Sequence, residues 1–472
     1  MKGLRYIVFF VLLIMLVACG ESSEFTPNDV DMPERTPTVQ QQPEEAPEPI
    51  MTIDQMREEV RADLIADLEY LEGEFEANMP LYGVIFRKLG INLTEHFANM
   101  REHIAKVEFG KNAETFEEMK RAGADFLYWY LSIEIEQKLR STGHLSLIPR
   151  DMYSFYLYIY TDTMRELEGT DAHLANLRGN FETFSNPAAM WFYNFDESEL
   201  DSQDLTHRER VNDSSAIRTR RQEEEKIAWL TINHATNELD FDRETLLPFF
   251  EEIQDYHHLV IDLRGHRGGL CGHFIEVVMK PLLSAPVFTR HHHFFMNGER
   301  VQRQVEDFML FLEKTTTGEF PGISIDIADK YIQANDMTEF NLSDLETLTY
   351  VVSESDEVIP LENGFPFNGK IWILTGPNTA SAGEMAAMAA ISSGFATVVG
   401  APTMGVTPTG SIIGSETVLL PYSGIILRMD INYYTDSLGR SIDEFGVTPD
   451  IPNRTGLNAE QTVLELITEG AY

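Results

Sequence analysis

The chain has 472 residues, with 36 Lys and Arg against 76 Asp and Glu, for a net charge of −40. So acidic a chain is ill suited to neutralising nucleic-acid phosphates or to adhering to anionic lipid through a basic face, and no nucleic-acid partner is expected. Hydrophobic residues make up 43%, enough for a large core, and two cysteines exclude a disulfide scaffold and any Cys-rich metal module.

At the N-terminus, Lys2 and Arg5 precede an apolar run from Tyr6 to Ala18. The run is shorter than the roughly 20 residues that a spanning helix needs, and it has the form of a secretory signal. It closes on Leu16-Val17-Ala18-Cys19-Gly20, which resembles the bacterial lipobox. The resemblance implies a signal peptide over 1–18, lipidation of Cys19, and an extracytoplasmic protein anchored to a bacterial membrane. Processing would leave Cys271 as the remaining original thiol, with no second one to pair with inside the chain. Residues 19–51 are acidic, Pro-rich and poor in apolar side chains, which predicts a disordered tether.

Thr52 and Gln55 fit a capping box, and Met56, Val60, Leu64, Leu68, Leu71 and Phe75 follow at helical steps of four and three. Further helices are expected from near Asn92 and over about 112–140, so 52–195 reads as a mainly helical region. Residues 196–225 are polar and charged and read as an exposed connection. The pattern then changes. Ile227 to Ile232, Leu259 to Leu263, Lys370 to Thr375 and Val398-Val399 read as strands, with helices over about 244–254 and 379–393. Thr417–Leu420 and Ile425–Met429 read as a hairpin turning at Ser423-Gly424. Strands alternating with helices predict an α/β core over 226–472.

Two segments of that core carry chemistry. Gly376-Pro-Asn-Thr-Ala-Ser381-Ala-Gly-Glu384 lies between a buried strand and a helix. A Ser there has its hydroxyl at a turn, beside unpaired N–H groups that can stabilise an oxyanion. Ser381 with Glu384 also fits an ordinary capping box, a purely structural role. The second segment, Asp262-Leu-Arg-Gly-His-Arg-Gly268-Gly269, is a Gly-rich turn after another strand, able to present backbone N–H groups to an anion.

In order, VIDLRGHRGG, WILTGPNTASAGE, Gly400-Ala-Pro-Thr-Met-Gly405 and Gly446-Val-Thr-Pro-Asp450 resemble the C-terminal processing peptidase family of serine proteases, which includes the tail-specific proteases and the catalytic core of tricorn protease. The resemblance covers about half the chain. It implies a core of the ClpP/crotonase-like kind, a peptide or protein substrate, and no cofactor or metal. By it, Ser381 is the nucleophile, and the N–H of Ala382 with one from the Gly268-Gly269 turn forms the oxyanion hole. The processing branch carries a basic Lys where this chain has Val406, so a Ser–Lys dyad is excluded at that position. The tricorn-like branch uses a His and an acid. Gln137-Lys-Leu-Arg-Ser-Thr-Gly-His144 resembles its histidine segment, and the acid maps to Asp443, beside Glu444. His266 is the rival base. No Gly-Leu-Gly-Phe-type loop lies between His144 and Ile227, so no PDZ module is expected.

Asp262 and Arg264 are expected to pair and fix their turn. The run His291-His292-His293 alternates faces on a strand and makes no natural three-ligand site. The reading that follows is a secreted, membrane-anchored serine endopeptidase. The alternatives are an inactive peptide- or apolar-ligand-binding lipoprotein on the same scaffold and a structural surface lipoprotein. The sequence leaves the oligomeric state open.

Overall fold

The computed structural model describes residues 51–166, 175–196, 216–305, 323–406 and 414–470. The expected signal, Cys19, nearly all of the tether and most of the polar connection lie outside the described residues. Among the described residues, no helix is long and apolar enough to cross a membrane.

The N-terminal region is helical as its periodicity predicts. Helix α1 (Ile53–Asn78) starts at the Thr52–Gln55 capping box and buries Met56, Val60, Leu64, Leu68, Leu71 and Phe75. It is followed by α2 (Tyr82–Leu89), α3 (Leu93–Lys106, with Asn92 as its cap) and α4 (Phe116–Leu131). α4 runs on into a π-helical stretch, Ser132–Gln137, and then strand β1 (Ser146–Leu147). α5 (Tyr153–Glu166), α6 (Ala175–Phe184) and α7 (Pro187–Tyr193) complete the region.

The α/β part is built on a six-stranded sheet in the order β13-β9-β8-β4-β3-β2. Its strands are β2 (Ile217–Gln222), β3 (Ile227–Ile232), β4 (His258–Asp262), β8 (Lys370–Thr375), β9 (Thr397–Gly400) and β13 (Ile451–Pro452). All neighbours are parallel except β2, which runs antiparallel to β3. The inner strands read as continuous apolar runs because both faces are covered. On one face Leu259, Ile261, Ile371 and Ile373 pack with α8 (Leu239–Glu252) and α9 (Ala382–Ser393). On the other, Trp229, Val260, Trp372 and Leu374 pack with the helix Ala459–Thr468.

Within the polar connection expected over 196–225, Ile217–Gln222 forms strand β2. Its sequence, IRTRRQ, is polar because it is an edge strand with its middle four residues exposed. Charge on such an edge discourages pairing with other chains.

Two further sheets join the helical region. One is β12-β5-β7-β6, made of β5 (Val287–Phe295), β6 (Ile323–Ile327), β7 (Tyr350–Val358) and β12 (Asn432–Thr435); the other is β1-β11-β10, with β10 (Ser415–Leu419) and β11 (Ile426–Asp430). Phe294, Val351, Ile426, Leu427 and Tyr433 share one apolar core with Leu68, Phe75, Phe97 and Leu127 of the helices. The helical region is thereby welded to the strands that frame the site.

Candidate active site

β4 and β8 are adjacent and parallel, with Asp262 opposite Leu374, so the turns that follow them emerge side by side at the same sheet edge. In open parallel sheets that edge is where ligands bind. The turns are tied together: Ala380 N–H donates to the His266 carbonyl at 2.9 Å, and Thr379 Oγ1 donates to the Leu263 carbonyl at 2.8 Å. Asp262 and Arg264 pair, with Arg264 Nε and Nη2 donating to the two carboxylate oxygens at 2.8 and 2.6 Å.

Ser381 begins α9 with φ 54° and ψ −119°, a conformation that a non-glycine residue holds only when its surroundings impose it. Its N–H donates to the Val406 carbonyl at 2.9 Å and to Glu384 Oε2 at 3.1 Å. The Glu384 half of the capping box is thus formed. The Ser381 hydroxyl turns the other way, to His144 Nε2 at 3.2 Å.

His144 arrives from the helical region. β1 pairs antiparallel with β11, Ser146 opposite Arg428 and Leu147 opposite Leu427. Carrying that register two residues further sets His144 across from Asp430. Asp430 Oδ2 meets the His144 N–H at 2.6 Å and the ring Nδ1 at 3.1 Å. Gly143, at φ +67°, makes the approach possible: a Cβ there would lie 2.9 Å from Asp430 Oδ2. Asp430 is buried, which pushes its carboxyl up, but the His144 imidazole and the hydrogen bonds outweigh this and hold it below the usual carboxylate value.

The acid beside His144 is therefore Asp430 and not Asp443. Asp443 lies in α10 (Ile442–Phe445), buried, with its backbone carbonyl accepting from Lys88 at 2.5 Å. The rival base His266 is also elsewhere. Its Nδ1 accepts from the Gly268 N–H at 3.2 Å, and burial, with His273 and His234 nearby, pulls its pKa down to about 4.

That bond bears on which glycine of the turn can serve the oxyanion hole. Gly268 has its N–H turned to His266, while its α-carbon abuts the nucleophile: a Cβ there would lie 3.2 Å from Ser381 Oγ. The bridge between Ala235 and Gly269 uses the Gly268 carbonyl and the Leu270 N–H, so the Gly269 N–H faces the opposite side. Ala382 opens α9, where helix N–H groups lack intrahelical acceptors. Of the N–H groups expected to serve an oxyanion, that of Gly268 is thus engaged with His266.

Residues 226–453 match the family model for peptidase family S41. Over that segment the chain belongs to peptidase family S41. The S41 segment spans β3 to β13, while His144 comes from outside it. The chain is similar to mature CPAF solved with lactacystin, at 12% identity over 87% of this chain and 97% of that one, TM-score 0.46. It is similar to a lipoprotein from Streptococcus agalactiae (14%, 86% and 96%, TM-score 0.37) and to the photosystem II D1 C-terminal processing protease (16%, 51% and 46%, TM-score 0.29). No curated protein sequence matches the chain.

Glu384, fully buried at the base of the site, accepts from Thr403 Oγ1 at 2.6 Å and from the N–H groups of Gly405, Val406 and Ser381 at 2.7, 3.0 and 3.1 Å. Burial pushes its carboxyl up to about 8, against those bonds, which favour the charged form. The histidine run lies on β5, buried: burial and the neighbouring imidazole pull His291 down to about 4, and burial lowers His292 and His293 likewise.

Proposed function

We propose that this S41 peptidase is a secreted, membrane-anchored serine endopeptidase that works through Ser381, His144 and Asp430. The observation that carries the reading is the unbroken chain from Ser381 Oγ through the His144 ring to Asp430 Oδ2, at 3.2 and 3.1 Å. With Nδ1–H donated to the carboxylate, Nε2 is left as the acceptor for the serine proton.

Ser381 Oγ attacks the scissile carbonyl carbon and passes its proton to His144 Nε2. The carbonyl oxygen becomes an oxyanion, which Gly269 and Ala382 N–H groups stabilise. Collapse breaks the C–N bond, and the leaving amine takes the proton from His144. Water then attacks the acyl ester, again through His144, releasing the acid and restoring Ser381. Asp430 holds the ring and stabilises its charged form. Val406 stands where the processing branch has its base, and a histidine supplied from the helical region removes the need for that lysine. Anchoring through Cys19 would place the site outside the cytoplasm.

The test is hydrolysis of a denatured protein such as casein by the full chain and by Ser381→Ala. Internal cleavage by the first and none by the second supports the reading; equal cleavage, or none by either, sinks it.

A further inference from the structure

Lys88, in the last turn of α2, sends its side chain out of the helical region into the loops around Ser381. Its Nζ donates to four backbone carbonyls: Ser141 and Asp443 at 2.5 Å, Met404 at 3.2 Å and Gly405 at 3.3 Å. All four partners are acceptors, which suits an ammonium; with three N–H groups to offer, it shares one between the two longer contacts, and burial pulls its pKa down from the usual lysine value. Gly405 leaves it room, since a Cβ there would lie 2.7 Å from Nζ.

Two successive peptide units are caught between this cation and Glu384. The Met404–Gly405 unit points its carbonyl at Lys88 and its N–H at Glu384 Oε1. The Gly405–Val406 unit does the same, with its N–H on Glu384 Oε2. Both peptide dipoles run in the favourable sense between the Lys88 amino group and the acceptor oxygens of Glu384, which rigidifies the loop. The next carbonyl, that of Val406, accepts the Ser381 N–H. The Ser141 carbonyl, three residues before His144, is held by the same ammonium.

We infer that Lys88 is a positioning residue for catalysis: through the 404–406 loop and the 141–144 turn it sets Ser381 and His144 in register. The inference rests on the Ser381–His144–Asp430 reading. It gives the helical region a part in the active site beyond supplying His144.

The experiment uses the full chain and compares Lys88→Met, Lys88→Arg and Arg87→Met. Arg87 is the neighbouring cation on α2 and binds Asp344 and Glu444, not the loop. Each variant is measured for melting temperature, for kcat and KM on a peptide substrate, and for the rate of fluorophosphonate labelling. Lys88→Met is expected to lower kcat and the labelling rate by on the order of ten- to a hundredfold, the scale of a small misplacement, with KM within about twofold. Lys88→Arg, which keeps the charge, recovers part of the loss. Arg87→Met lowers the melting temperature but leaves kcat near the unaltered value. The proposal is overturned if Lys88→Met labels as fast as the unaltered chain, or if kcat falls equally in Lys88→Met and Arg87→Met. If Lys88→Met does not fold, Lys88→Arg decides: a partial fall in kcat and labelling rate with KM within about twofold supports the positioning role, and unaltered kcat and labelling, or a change in KM alone, overturns it. Failure of the unaltered chain to label at Ser381 removes the underlying reading, and the inference with it.

Discussion

His144 and Asp430 face each other across the β1–β11 pairing, with the imidazole Nδ1 3.1 Å from the carboxylate Oδ2. The two residues are 286 positions apart in sequence, and a two-residue strand is what sets their register.

Asp430→Asn turns an amide toward the ring and favours the wrong tautomer. We expect kcat to fall by on the order of 10³–10⁴-fold, as for a serine triad losing its acid. Asp443→Asn should cost far less, because Asp443 is not the acid on His144. Steady-state kinetics of both variants decides between them; an equal or larger loss for Asp443→Asn would contradict the assignment.

The lowered pKa of Asp430 also has a stability consequence. Its contribution is present above the unfolded value, ordinarily 3.8, and is lost as pH falls through the lower folded value. Asp430→Asn should therefore narrow the stability difference between neutral and acid pH. Urea titrations at a series of pH values from neutral down to about 3 would measure it.

Gly143 should not tolerate a side chain. Gly143→Ala places a methyl 2.9 Å from Asp430 Oδ2 at a backbone φ of +67°. The left-handed backbone alone costs on the order of 1 kcal/mol. We expect lower stability and a drop in kcat larger than the stability loss explains, read from denaturant unfolding beside kinetics.

On the proposed mechanism, His266 shapes the turn and the proton goes to His144. His266→Gln should slow the reaction, because the Gly268 N–H loses the ring nitrogen that it donates to. The acid limb of kcat/KM should stay where it is in the unaltered chain. A displaced limb would make His266 the titrating base.

Glu384→Gln would replace one acceptor oxygen with a donor among three N–H groups and a hydroxyl. Leaving buried donors unmatched costs roughly 1–3 kcal/mol each. Both the melting temperature and the labelling rate at Ser381 should fall.

Much of this was legible in the sequence. The stripe of α1, the apolar runs of β3, β4 and β8, and the hairpin at Ser423-Gly424 follow from periodicity and turn chemistry. The four ordered motifs pointed to the S41 family. Asp430 was missed because a carboxylate ending an apolar strand becomes informative only once β1 lies beside it, a pairing that no local pattern encodes. The one available hint was its place between Met429 and Ile431, where a buried charge needs a partner. The engagement of Gly268 with His266 escaped for a similar reason, since two adjacent glycines give no sign of which N–H is already taken. Nothing in the local pattern around Lys88 sets it apart from other basic residues.

The most direct test of the account is peptide mapping by mass spectrometry after fluorophosphonate treatment of the full chain and of His144→Ala. The account predicts a phosphonyl adduct on Ser381 in the unaltered chain and a labelling rate lowered by several orders of magnitude in His144→Ala. An adduct on another residue, or unchanged labelling of Ser381 without His144, would contradict it.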